Sequence, residues 1–318
     1  MRGFQRILLE LKDIVRRHQP GDELEPPRSL LSLNVFGRRM TYLAAGLENG
    51  NSRPPIVFIH GFGGFFMDWP RIMAPLSRYT RVYALDLPGW GFSERNPNAR
   101  AIEDDATAVD EFMRILDLKD AIICGLSYGA WVAWALAAEN PSKLRQLVLL
   151  NPMPPHPIRY MTSPIYRGIF FLNSFERVGE WGHRLLTKSQ YKVICRENLL
   201  NHRLLDSFYL DLAYLIIKQP KIRSLLRGHA RGARDTDWNA WERRLEEIRV
   251  PVSILQGRQD RIFSLEGAGF LHRLMPNSQL VEVEKCGHAI VFDQHRRVSE
   301  HLIKLLNVEK ADVVSALN

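Results

Sequence analysis

Only three cysteines occur in 318 residues, Cys124, Cys195 and Cys286, and their spacings are unrelated. An odd, scattered set builds neither a disulfide framework nor a thiolate metal site, so they read as reduced packing thiols. The ten histidines contain no H-E-x-x-H pattern, and no metal is expected. Long apolar runs are missing as well: no stretch of about 18 uncharged apolar residues is available to span a bilayer. Arg6, Glu10, Lys12 and Asp13 interrupt the first apolar residues, which removes a signal-peptide core and makes cytoplasmic residence the expectation. The glycine groups Gly61-Phe62-Gly63-Gly64 and Gly89-Trp90-Gly91 complete neither G-x-G-x-x-G nor the Walker lysine spacing. A nucleotide-phosphate loop is therefore excluded, and no cofactor is expected.

What the chain does have is apolar residues, 46% of the total, enough for a sizeable core. Its net charge of +8 is unevenly placed: residues 154–244 hold 16 Lys and Arg against 8 Asp and Glu, an excess equal to that of the whole chain. The same segment is rich in aromatics, among them Tyr166, Phe170, Phe171, Phe175, Trp181, Tyr191, Tyr209 and Trp238. Single-stranded nucleic acid could use such a composition. A cap that lines an apolar pocket with aromatics and carries arginines on its solvent face explains it more simply, so no nucleic-acid partner is expected.

Apolar residues Phe4, Ile7, Leu8, Leu11, Ile14 and Val15 recur at helical spacing, predicting a basic amphipathic helix over residues 1–18 that packs on its own domain or a partner copy. Asp22 to Pro27 read as a linker. A hairpin follows, Leu30 to Val35 and Met40 to Ala45. The apolar runs at Ile56–Ile59, Val82–Leu85, Ala121–Cys124 and Leu147–Leu150 then alternate with helical patterns near Asp68–Arg78, Ile102–Leu116 and Ala130–Glu139. Uniformly apolar strands alternating with helices predict a mostly parallel, doubly wound α/β sheet covered on both faces. Asn151-Pro152-Met153-Pro154-Pro155 halts the alternation, and Ile158 to Glu247 are helical in pattern. Strands at Val252–Leu255 and Leu280–Val283, with helices near Leu265–Leu274 and Val298–Leu306, complete the sheet. The expected organisation is an N-terminal helix and linker (1–27), a core (28–153 and 248–318) and an inserted helical cap (154–247).

Gly125-Leu126-Ser127-Tyr128-Gly129 links a buried-type strand to a helix. A serine on such a sharp turn occupies strained backbone, and its flanking glycines avoid a collision that side chains would cause. The turn lifts the hydroxyl to a helix N-terminus, where free N–H groups and the helix dipole favour developing negative charge. A serine hydroxyl attacks only with help from a base, which in turn needs an orienting acid. Asp260 and His288 follow the strands Val252–Leu255 and Leu280–Val283, so a parallel sheet brings them to the same edge as Ser127. The backbone N–H groups of Phe62 and Tyr128 are the candidate oxyanion donors. Gly61 permits close approach, and His60 is read as an organiser of that loop.

With His60-Gly61-Phe62-Gly63, Asp86-Leu87-Pro88-Gly89-Trp90-Gly91, Gly125-Leu126-Ser127-Tyr128-Gly129, Gly257-Arg258-Gln259-Asp260 and Cys286-Gly287-His288 together, the chain resembles the α/β-hydrolase fold superfamily from about Leu30 to Leu306, outside the insertion. Within it, the chain is similar to serine esterases, monoacylglycerol lipases and meta-cleavage-product hydrolases. Ser127 argues against the dehalogenase and epoxide hydrolase branches, which use aspartate there. The resemblance implies Asp86 as a structural turn residue and a small apolar ester as substrate, cleaved through an acyl-enzyme. Carbon–carbon hydrolysis of a ring-fission product or ligand binding without turnover are the alternatives. Residues 1–18 and the basic cap are also suited to peripheral contact with anionic membranes.

Overall fold

The computed structural model describes residues 2–47, 53–95, 102–173 and 175–308. Part of the expected loop from Glu48 to Pro55, residues 48–52, lies outside the described residues, as does the end of the expected core segment, 309–318.

One eight-stranded sheet organises the described chain: β1 (Leu31–Val35), β2 (Arg38–Ala45), β3 (Ile56–Ile59), β4 (Val82–Leu85), β5 (Ala121–Leu126), β6 (Leu144–Leu150), β7 (Val252–Gly257) and β8 (Ser278–Val283). Their spatial order is β1-β2-β4-β3-β5-β6-β7-β8. β2 pairs antiparallel with both β1 and β4, and every pairing from β4 to β8 is parallel. All residues of β3, β4, β5 and β7 are buried, which is why these strands are apolar runs rather than alternating ones, interrupted only at Ser253 and Gln256 of β7.

The helices are α1 (Arg2–Arg17), α2 (Pro70–Leu76), α3 (Ile102–Ile115) and α4 (Tyr128–Glu139), then seven between β6 and β7. These seven are α5 (Pro157–Tyr160), α6 (Pro164–Asn173), α7 (Glu176–Leu185), α8 (Lys188–Glu197), α9 (Ser207–Lys218), α10 (Pro220–Asp235) and α11 (Trp238–Glu246). The last three are α12 (Leu265–Leu274), α13 (Ile290–Asp293) and α14 (His295–Leu305). Helix α4 carries apolar residues all round and is buried from Tyr128 to Ala137, as expected of a helix at the centre of the fold.

Two helical boundaries differ from the sequence expectation. The pattern from Asp68 to Arg78 resolves into a 3₁₀ turn at Phe66–Asp68 followed by α2, where Pro70 pre-sets the first helical φ. The last helix starts at His295, three residues before the expected Val298. The N-terminal helix packs on α9, with Ile7 and Leu11 fully withdrawn from water. Burying two such side chains is worth about 3–6 kcal/mol.

The insertion α5–α11 is tied to the core loops by main-chain bonds. Ala289 N–H donates to Asn198 O at 2.7 Å and Thr162 N–H to Ile262 O at 2.9 Å. The Asp293 carboxylate accepts from the N–H groups of Leu200 and Asn201.

Candidate active site at the carboxyl edge of the sheet

Ser127 stands between β5 and α4 with φ 53° and ψ −111°, a left-handed region that costs a non-glycine residue about 1–3 kcal/mol. Its neighbours explain how the turn closes: a Cβ on Gly125 would run into the Gly129 carbonyl, and one on Gly129 into the carbonyls of Ile59 and His60. The strand–turn–helix is therefore compressed until only hydrogen fits at either flank.

Asp260, in the loop after β7, is almost wholly buried, its side chain 1% exposed. Oδ1 accepts from the N–H groups of Ile262 (2.7 Å) and Phe263 (3.2 Å), and Oδ2 from Gln256 Nε2 (3.1 Å) and from His288 Nδ1 (2.8 Å). Because an ionised carboxylate only accepts, the neutral His288 imidazole carries its proton on Nδ1 and keeps its lone pair on Nε2. His288 and Ser127 line the same cavity of about 320 Å³. Among the described residues no hydrogen bond joins Ser127 Oγ to His288 Nε2; such contacts often tighten only when substrate binds.

Phe62 and Tyr128 line that cavity too. Among the described residues neither backbone N–H has a hydrogen-bond partner, and Tyr128 opens α4, where the first amides have no intrahelical acceptor. Behind the Phe62 loop, His60 donates from Nδ1 to Gly61 O at 2.8 Å and accepts the Leu87 N–H at Nε2, 3.0 Å away. Complete burial pushes its pKa down to about 4. With both nitrogens occupied, His60 organises the loop. Asp86 accepts from Thr41 Oγ1, Phe66 N and Phe92 N, and a Cβ on Gly91 (φ +51°) would strike its carboxylate. It holds a turn. Burial raises the thiols of Cys124 and Cys286, which suits inert packing cysteines rather than nucleophiles.

Residues that the sequence reading passed over also build the site. Asn151, buried at the end of β6 with φ 41°, donates from Nδ2 to the carbonyls of Gly287 (2.8 Å) and His288 (2.6 Å) and accepts the Gly257 N–H at 2.6 Å. One side chain thus fixes the Asp260 loop against the His288 loop. Asp293 accepts the Gly287 N–H as well as the two insertion amides. The Asn-Pro pair at a strand end signals a turn, but not which loops it joins.

A family model for the alpha/beta hydrolase fold matches residues 54–294. The chain belongs to this family. Among its relatives, 2-hydroxy-6-oxo-2,4-heptadienoate hydrolase of Pseudomonas putida is 25% identical over 265 residues, spanning 80% of this chain and 91% of the relative. Mouse (Mus musculus) monoacylglycerol lipase ABHD6 is 24% identical over 279 residues, 80% and 76% of the two chains. The crystal structure of the enol-lactonase from Burkholderia xenovorans shares the fold of this α/β hydrolase, with a TM-score of 0.71 at 19% identity over 87% of this chain and all of the other.

Proposed function

We propose that this α/β hydrolase cleaves carboxylic esters with an apolar acyl or alcohol part, Ser127 being the nucleophile. The observation that carries the reading is the His288–Asp260 pair, which leaves Nε2 as the proton acceptor in the cavity that also holds a serine on a strained strand–helix turn. In this scheme Nε2 takes the Ser127 proton as Oγ attacks the carbonyl carbon. Asp260 stabilises the resulting imidazolium, and the N–H groups of Phe62 and Tyr128 hold the oxyanion. The imidazolium then protonates the leaving alcohol, and water, activated by the same nitrogen, releases the acid. The insertion α5–α11 serves as the cap, supplying most of the apolar wall.

Carbon–carbon hydrolysis uses the same triad, but the dienoate named for the P. putida relative carries a carboxylate. Among the described residues no lysine or arginine lines the cavity, whereas Asp68 does. A buried substrate carboxylate with no lysine or arginine to meet it is costly, so neutral esters are favoured. The test is a panel of p-nitrophenyl esters of graded acyl length beside a ring-fission product, with wild type and Ser127→Ala. Ester turnover that vanishes in the variant supports the reading, and turnover that persists removes it.

Peripheral membrane contact has its best support at α6 and α7. Phe171, Phe175, Val178, Trp181 and Leu185 are exposed there, Trp181 by 61%, while Phe170, Gly179 and His183 on the same helices line the cavity. Such a concentration of exposed aromatics in a basic segment suits a bilayer interface. The apolar side of α1 is already occupied by α9. No helix among the described residues is long and apolar enough to cross a membrane. Trp181→Glu should abolish co-sedimentation with phosphatidylglycerol vesicles and Leu9→Glu on α1 should not; the reverse pattern returns the contact to the N-terminal helix.

A further inference from the structure

Four aspartate side chains are buried around the site, and their surroundings differ. Asp105 accepts the Tyr128 hydroxyl at 2.6 Å and lies 3.6 Å from His229 Nε2. Asp260 receives four hydrogen bonds. Asp86 receives three; burial pushes its pKa up to about 6, against those hydrogen bonds and the nearby Lys221 charge. Asp68 is 5% exposed and is the member of the four that lines the cavity. It accepts the Tyr209 hydroxyl at 2.6 Å, with further support from the Phe65 N–H. A carboxyl offers about four acceptor positions, so Asp68 keeps hydrogen-bonding capacity toward the space a ligand would fill. Burial, reinforced by the Asp86 carboxylate, pushes its pKa up to about 7, so near neutrality it both donates and accepts.

An under-bonded carboxyl in an apolar cavity is expensive unless something is bound there, and the acyl-transfer steps give Asp68 no task. Among the described residues no lysine or arginine lines the cavity to pair with it. The chemistry that suits a half-protonated carboxyl is a neutral hydroxyl. Tyr191, Tyr166 and Asn198 line the same cavity, whereas Ile169, Phe170, Leu172 and Leu186 offer an alkyl chain no polar partner.

We propose that Asp68 and Tyr209 form a hydroxyl-binding subsite, selecting esters that carry a free hydroxyl over simple alkyl esters. This rests on the ester-hydrolase reading of Ser127. Asp68 lies four residues after Gly64 of the loop that carries Phe62, and a Cβ on Gly64 would collide with its Oδ2, so the subsite adjoins that loop. Tyr209 comes from α9 of the insertion, so the subsite is complete only with the insertion packed on the core.

Binding can be separated from hydrolysis by measuring the affinity of Ser127→Ala protein for three probes: 3-decyloxy-1,2-propanediol, decyl methyl ether and decyloxyacetic acid. Each hydrogen bond is worth about tenfold in affinity, so the diol should bind at least tenfold more tightly than the methyl ether, and the acid most weakly. Adding Asp68→Leu should bring diol and methyl ether to within about twofold, whereas Asp68→Asn should retain most of the preference. Tyr209→Phe, which keeps the ring packed on Phe65, should lower the preference severalfold and serves if the leucine variant does not fold. Equal binding of diol and methyl ether, or a preference undiminished in both Asp68→Leu and Tyr209→Phe, overturns the subsite. Preferential diol binding without turnover of any ester by the wild type would leave the subsite standing and remove the hydrolase reading.

Discussion

Acidification will show how firmly His60 holds the loop that carries Phe62. The imidazole is fully buried, donating to Gly61 O and accepting from the Leu87 N–H. Protonating Nε2 would set two N–H groups against each other. Burial is the main reason its pKa falls from 6.5 to about 4, against an opposing pull from the Gly61 carbonyl and the Asp105 charge. The folded-state pKa is depressed for a base, so the unfolded chain takes up the proton first. The stabilisation is complete above pH 6.5 and is lost as pH falls toward 4. At pH 4.5 the loss is about 2.5 kcal/mol. The assay is urea unfolding of wild type and His60→Gln at pH 7.5 and 4.5. The stability difference between the two proteins should shrink by about that amount on acidification, because other titrating groups cancel in the comparison. Differences that stay equal at the two pH values would refute the burial argument.

Two further substitutions separate chemistry from architecture. Asp260→Asn presents an amide to His288 Nδ1, favours the tautomer with its proton on Nε2, and should lower kcat by about 10³–10⁴ with little change in fold, as judged by circular dichroism and pre-steady-state kinetics. Asn151→Ala removes one side chain's bonds to both the Asp260 and His288 loops. It should cost about 2–4 kcal/mol in denaturant unfolding and lower kcat more than it changes KM.

The sheet is legible in the chain because strands buried on both faces are apolar: β3, β4 and β5 carry no charged or amide side chain, and β7 departs only at Ser253 and Gln256. Ser127, Asp260 and His288 are legible for a related reason: each lies within five residues of a strand's end, and parallel strands bring their carboxyl ends to one edge. What escapes the pattern depends on contacts distant in sequence. Asn151 looks like a turn former, and its three partners lie 106 to 137 residues away. Asp68 looks like the first residue of a helix, because periodicity registers neither the Pro70 start nor the 141-residue separation from Tyr209. The amphipathic pattern of residues 1–18 gives the helix but not its partner, α9, since a buried apolar stripe reads alike whether it meets protein or lipid.

The claim on which everything else depends is that Ser127 is an activated nucleophile. Labelling with a fluorophosphonate, followed by peptide mass mapping, addresses it directly. Folded wild type should carry the adduct on the peptide containing Ser127, at a rate that collapses in His288→Ala and in urea-unfolded protein. An adduct at another residue, or ester turnover by protein whose Ser127 remains unlabelled, would contradict it.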